Sequence, residues 1–194
     1  MARSAPIFLT LIALSFSPPS PRPAHAQVEK VTASEVRDRE SLKGFVLWAE
    51  SVFGRIEDMD EGRRVLDEVR TEGSDYNVGN VYVILFTTEG RVFIHGEDPD
   101  MDRRRAADVQ DDRGTPVVRE MLATGAEDGG GFVEWCWDDP ADPDDVHCKD
   151  SYAIRYYSPV SDRDFVIVGG YYQDLDARRQ AAGPAACRGR SAQR

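Results

Sequence analysis

The sequence predicts an α+β domain: a five-stranded antiparallel sheet with a long N-terminal helix on one face and a loop-helix segment roofing the other. Three observations carry this. Five runs rich in β-branched and aromatic residues, each about 5–8 residues long and bounded by Gly, Asp or Pro, fall between Val81 and Gly170. Val36, Leu42, Phe45, Val46, Trp48, Ala49, Val52, Phe53 and Ile56 recur at three- and four-residue spacing, the period of a helix with one apolar face. The helical patterns mostly precede the strands instead of alternating with them, which disfavours a parallel sheet.

In chain order, residues 28 to about 72 read as helical, with Ser34 as the expected N-cap. A second, shorter helix is expected over Glu61 to Val69, ended by Glu72-Gly73-Ser74-Asp75. Residues 75–80 read as a loop. Val81 to Phe86 and Arg91 to His95 are the first two strands, joined by Thr87-Thr88-Glu89-Gly90, with Gly suited to a positive φ. The polar stretch from Gly96 to Asp112 has no strand pattern and includes Arg103-Arg104-Arg105. Thr115 and Pro116 open a helix to about Thr124. Strands follow at about 131–137, 149–158 and 164–170. The acidic, Pro-broken stretch Asp138 to Asp145 is expected to be the loop between the first two of these. A short helix to about Ala182 and a disordered basic tail over 183–194 complete the expectation.

Residues 1–26 look like a secretory leader, leaving one domain over 27–182. Arg3 precedes the apolar run Ile7 to Phe16, and Ala24-His25-Ala26 has the form of a cleavage site. The run is too short to cross a bilayer, which takes about 20 residues. A chain starting at Gln27 has 168 residues with 22 basic against 35 acidic, a net charge of −13. That charge argues against nucleic acid and anionic membrane as partners. In an exported chain a disulfide is allowed. Cys136 and Cys148 flank the acidic loop and are the expected pair, with Cys187 left over; three free thiols is the alternative. Closing such a loop is worth about 3 kcal/mol on the chain-entropy model.

Several segments together resemble the single Cache domain family, the extracytoplasmic PAS-like sensor module of bacterial chemoreceptors and kinases. They are Gly79 to Ile84, Thr88 to His95, the D-x-x-G turn Asp111-Asp112-Arg113-Gly114, Gly131-Phe132-Val133-Glu134-Trp135, Lys149-Asp150-Ser151-Tyr152, and Val168-Gly169-Gly170-Tyr171-Tyr172. The resemblance covers roughly residues 33–175. The acidic stretch, the two cysteines and the three arginines depart from the family pattern. The resemblance implies a PAS-like sheet, with a small-molecule pocket on the face away from the long helix and short carboxylates among the ligands.

A pocket for a small anion needs a few convergent donors in an apolar lining. Lys149, His95 and Tyr152 are the candidates for its polar end, with Arg155 as a further cation and Trp135 and Tyr82 as lining. Alternation puts Lys149 and Arg155 on one strand face and Tyr152 on the other, so Lys149 and Tyr152 meet only across a bulge. Arg103 to Arg105 are a candidate lid, with a solvated charge run as the simpler reading. The Asp138–Asp145 acids read as a solvated loop before a cation site. No H-E-x-x-H, G-x-S-x-G or Gly-rich phosphate loop appears, and no cofactor is implied.

The reading is therefore a sensor module for a small carboxylate, not an enzyme. It is expected to act through a membrane receptor or kinase partner, and to be capable of dimerising through the N-terminal helix. A ligand-free interaction module is the alternative, and an enzyme on the same scaffold the third.

Overall fold

The structure is a computed structural model that describes residues 28–139 and 142–172. The leader, the expected helix after Tyr172, the tail and Cys187 lie outside the described residues, as do the side chains of the acidic stretch.

The N-terminal segment is three pieces, not one helix. A 3-10 turn, Ala33–Glu35, is capped by Thr32. Helix α1, Arg39–Phe53, starts at Asp38, whose carboxylate accepts from the Ser41 N–H at 2.8 Å. Ser34 is thus not the cap of α1. Asp38 is the better one because its charge also meets the positive end of the helix. Helix α2, Met59–Arg70, is capped by Asp58. Helix α3, Val117–Gly125, follows Pro116 close to its expected place.

The sheet has six strands: β1 Asn77–Val78, β2 Val81–Thr87, β3 Val92–His95, β4 Gly131–Asp139, β5 Asp142–Ser158 and β6 Arg163–Tyr172. Every pairing is antiparallel in the order β1-β2-β6-β5-β4, and β3 also pairs with β2. Two expectations are corrected. Residues 77–78, read as loop, pair with β2. The acidic stretch, also read as loop, continues the β4–β5 ladder, with Trp137 opposite His147 and Asp138 opposite Val146. Backbone pairing there overrides the turn-like composition, which is a weak guide in strands. Arg103–Arg105 run along the outer edge of β3, where Val92 N–H donates to the Arg104 carbonyl at 3.0 Å, and their side chains are exposed.

Alternation sorts the side chains to two faces. Val83, Leu85, Tyr152, Tyr156, Phe165, Ile167 and Tyr171 form one core with Leu42, Phe45, Val46, Ala49 and Phe53 of α1. Phe86, Val92, Val133, Ala153, Val166 and Val168 form the other, under Ala106, Val117, Val118 and Met121. The apolar stripe of α1 is buried against the sheet.

Gly169 sets how closely α1 approaches. A Cβ there would stand 2.7 Å from Val46 Cγ2 and 3.1 Å from Phe45 Cε1. The N-terminal turn of α1 is pinned to the same face by Arg39, which donates to both carboxylate oxygens of buried Asp150 at 3.0 and 2.6 Å. Gly169→Ala is expected to overpack this contact and lower stability by about 1–3 kcal/mol, read from urea unfolding. An unchanged midpoint would contradict the close approach.

Candidate functional site

The candidate site lies on the sheet face opposite α1. Tyr82 of β2, Trp135 of β4, Lys149 and Ser151 of β5, and Tyr172 of β6 project there, and His95 ends β3 beside them. Lys149 is the centre. Its strand neighbour across the ladder is Tyr172, yet its side chain crosses β6 to reach β2. Gly170 makes that crossing possible: a Cβ on it would lie 2.8 Å from Lys149 Cε and 2.7 Å from Ser151 Oγ.

Lys149 Nζ sits 4.0 Å from the centre of the Tyr82 ring, 4.9 Å from that of Tyr172 and 5.8 Å from that of Trp135. Such faces attract a cation through the ring quadrupole. The residue is only 2% exposed, and among the described residues no carboxylate stands within 4 Å of its nitrogen. Burial lowers its pKa from the ordinary lysine value to about 7, opposed by the negative field of Glu97.

The surrounding groups are held in place. Trp135 Nε1–H donates to Ser151 Oγ at 3.0 Å, fixing the indole. His95 packs on Tyr82 with ring centres 5.1 Å apart, and its Nδ1 accepts the Asp98 N–H at 2.9 Å. The neutral imidazole therefore carries its proton on Nε2. Burial lowers the His95 pKa, with Lys149 adding to the effect while Glu97, Asp98 and Asp102 oppose it. Burial raises the Tyr82 and Tyr172 hydroxyl pKa values, and Glu97 raises both further.

Glu97 acts on all four titratable groups of the site and was not among the sequence candidates; nothing in its polar run distinguishes it. Its backbone is anchored through Gly96, whose N–H donates to Val83 O at 3.0 Å and whose carbonyl accepts from Asn77 Nδ2 at 2.8 Å. Tyr172 was missed too, although its place opposite Lys149 follows from the hairpin register.

Four of the six sequence candidates come together: Lys149, His95, Tyr82 and Trp135. Tyr152 does not. The β5–β6 ladder runs without a bulge from Lys149↔Tyr172 to Ser158↔Arg163, so Tyr152 stays on the α1 face, where its hydroxyl donates to the Gly129 carbonyl. Arg155 lies toward the other end of β5 and pairs with Asp164 at 2.5 Å. Arg103–Arg105 are exposed along β3, and Arg105 reaches Asp108 at 3.7 Å. Cys136 and Cys148 form a disulfide, joining directly opposed residues of β4 and β5 beside Trp135 and Lys149.

The D-x-x-G turn buttresses the same hairpin. Asp111 accepts from the N–H groups of Thr115 at 2.8 Å, Arg113 at 3.0 Å and Cys136 at 3.2 Å. Burial would raise its pKa, but the N–H donors of Thr115, Cys136 and Arg113 outweigh that and hold the carboxyl below its usual range. A cavity of about 90 Å³ lies elsewhere, on the helix face, walled mainly by Phe53, Ile56, Leu66, Leu85, Tyr156 and Phe165. It has no buried charge to orient a polar ligand, unlike the cluster around Lys149.

The sequence pattern described as Single Cache domain 2 matches residues 54–182, which include every strand and every residue of the site. The chain belongs to the single Cache domain 2 family. Cache domains are extracytoplasmic sensor modules. Similar solved structures include a methyl-accepting chemotaxis protein from Vibrio parahaemolyticus, at 18% identity over 68% of this chain and 82% of that one, TM-score 0.48. Another is a periplasmic sensor domain of a chemotaxis protein, at 24% identity over 69% and 88%, TM-score 0.47. A third, described under carboxylic acid recognition by a Cache chemosensory domain, has 18% identity over 69% and 86%, TM-score 0.47. No curated protein matches the chain. No helix among the described residues of this Cache domain is long and apolar enough to cross a membrane.

The buried lysine makes stability depend on pH. Unfolding returns Lys149 to its ordinary, higher pKa, so the unfolded chain binds more protons between about 7 and about 10. The folded state is penalised most below that window and recovers as pH rises through it. Lys149→Met removes the dependence. Its advantage over the natural protein is expected to be largest near pH 6 and to shrink by roughly 1.4 kcal/mol per pH unit through the window, read from unfolding at each pH. A pH-independent difference would contradict the assigned burial.

Proposed function

We propose that this Cache domain senses a small carboxylate, with Lys149 as the residue that holds its anionic end. The observation that carries this reading is the buried Lys149 nitrogen, which rests on three aromatic faces and has no ion-pair partner among the described residues. A carboxylate would complete its pairing and restore its charge. His95 Nε2–H is the second donor, and Tyr82, Trp135 and Tyr172 form the apolar lining. Glu97 at the rim supplies a negative field that disfavours ligands with more than one exposed anionic group. Tyr152 and Arg155 have structural roles in this reading.

The disulfide supports an extracytoplasmic setting, and residues 1–26 would be the export leader of a domain over 27–182. The ligand signal would pass to a membrane receptor or kinase partner. Burial of the α1 stripe removes the feature that would have favoured dimerisation through it.

A thermal-shift screen against short carboxylates tests the reading. A ligand at a hundred times its dissociation constant adds about 2.7 kcal/mol of stability, and the gain is expected to vanish in Lys149→Met. A screen with no shift, or one unaltered in that variant, would overturn it.

Affinity should also fall with rising pH. The bound anion favours the ammonium over the neutral amine. Above about 7 the free site must take up a proton on binding, and affinity drops about tenfold per pH unit until the pKa of the complex is reached. Titration calorimetry in buffers of different ionisation enthalpy reads both the slope and the proton uptake. Of the facing groups, burial moves the His95 imidazole down and the Tyr82 and Tyr172 hydroxyls up, away from this window, and Glu97 is the facing carboxylate. A flat profile between pH 7 and 9 would count against Lys149 as the anion's partner.

A further inference from the structure

We propose that Lys149 also captures carbonyl ligands covalently, so that short 2-oxo acids are held as a reversible imine on its Nζ. The inference rests on the placement of the ligand at Lys149 and adds a bond-forming step to it.

Three features of the site point to this chemistry. The first is the residue type. Of 24 basic residues only three are lysines, and Lys149 is the buried one, while Lys30 and Lys43 are exposed. A buried cation that only had to hold a carboxylate would be served at least as well by arginine, which grips it through two parallel bonds; arginine cannot shed its proton and lysine can. The second is the surroundings. The nitrogen sits among three rings, Tyr82, Tyr172 and Trp135, with no ion-pair carboxylate among the described residues to keep it charged. An amine is made nucleophilic in this way, by desolvation in an apolar pocket. At pH 7 its neutral fraction is roughly a thousand times that of an ordinary lysine. The third is proton traffic. Glu97 acts on both Lys149 and the Tyr82 hydroxyl, and His95 keeps a proton on Nε2.

The step balances without an oxidant or reductant. The Nζ lone pair attacks the carbonyl carbon, forming a C–N bond and a carbinolamine. Two protons pass from nitrogen to the former carbonyl oxygen, the C–O bond breaks, and water leaves. Protonation of the imine by the neighbouring acid-base groups gives an iminium, which keeps a positive charge on the three ring faces. The ligand's carboxylate then falls to His95 Nε2–H, which is why a 2-oxo acid, carrying both groups, suits the site better than a simple aldehyde. Hydrolysis reverses the capture.

The test uses the full chain at pH 7 with 2-oxobutyrate and cyanoborohydride, which reduces the iminium to a stable secondary amine, followed by peptide mass mapping. The control is 2-hydroxybutyrate, which has the carboxylate and no carbonyl. The expected result is a reduced adduct on Lys149 at least tenfold above that on Lys30 or Lys43, and none with the control. No adduct on Lys149, or equal labelling of the three lysines, overturns the proposal. Melting temperature with 2-hydroxybutyrate separates the two readings. A rise without trapping at Lys149 leaves the ion-pair site standing and removes the covalent step. Trapping at Lys149 without a rise supports the covalent step and removes simple carboxylate binding. Neither trapping nor a rise removes both. Because the decisive arm is the natural protein, the outcome does not depend on a Lys149 variant folding.

Discussion

Gly169 and Gly170 lie side by side in β6 and face opposite ways, and what each leaves out determines what the sheet can hold on that side. Over Gly169 the missing side chain is replaced by Phe45 and Val46, so α1 sits down on the sheet. Over Gly170 it is replaced by the stem of Lys149, which would otherwise stop at its own strand pair. The second replacement lets a residue of β5 meet an aromatic ring on β2, two strands away. The remainder of the site follows from that crossing: Tyr82 and Tyr172 take the ammonium on their faces, Trp135 closes the far side, and Ser151 fixes Trp135.

A charge held this way is poorly solvated. Ring faces return part of what water gave, and the shortfall appears as the lowered Lys149 pKa. The chain tolerates this because the rest of the sheet is well made. Two apolar cores back it, Arg39 and Asp150 clamp the helix one residue along from Lys149 on the opposite face, and the Cys136–Cys148 bond and the Asp111 turn hold the β4–β5 hairpin from its open edge. A strongly perturbed group carried by a well-packed scaffold is a candidate functional site. Lys149 and Asp150, adjacent in sequence and opposite in direction, also join the site to the first turn of α1 through one stretch of strand.

Much of this was legible in the sequence, and the reasons the rest was not are physical. The strands showed themselves because β-branched and aromatic runs broken by Gly and Asp have few other uses. Parity placed Lys149 on one face and Tyr152 on the other, and β5 keeps that parity, so the bulge needed to unite them does not occur. The family resemblance drew Tyr152 into the site, whereas alternation admitted it only across a bulge. The break between the 3-10 turn and α1 was hidden because Val36 continues the apolar spacing although its backbone is extended. The β4–β5 ladder overran the expected loop because backbone pairing can continue through acidic, Pro-containing sequence when the strands on one side are already in register. Glu97 and the reach of Lys149 over Gly170 depend on how three strands lie together, and no local pattern records that.

Lys149 is a buried amine whose pKa burial lowers to about 7, with no ion-pair partner among the described residues. Three lysines in the chain make it directly measurable. With lysine isotopically labelled at Cε and Nζ, magnetic resonance follows each ammonium through a pH titration. One lysine is expected to show a midpoint near 7 that moves upward when a short carboxylate is added. No lysine with a midpoint near 7, or one that no short carboxylate moves, would contradict this.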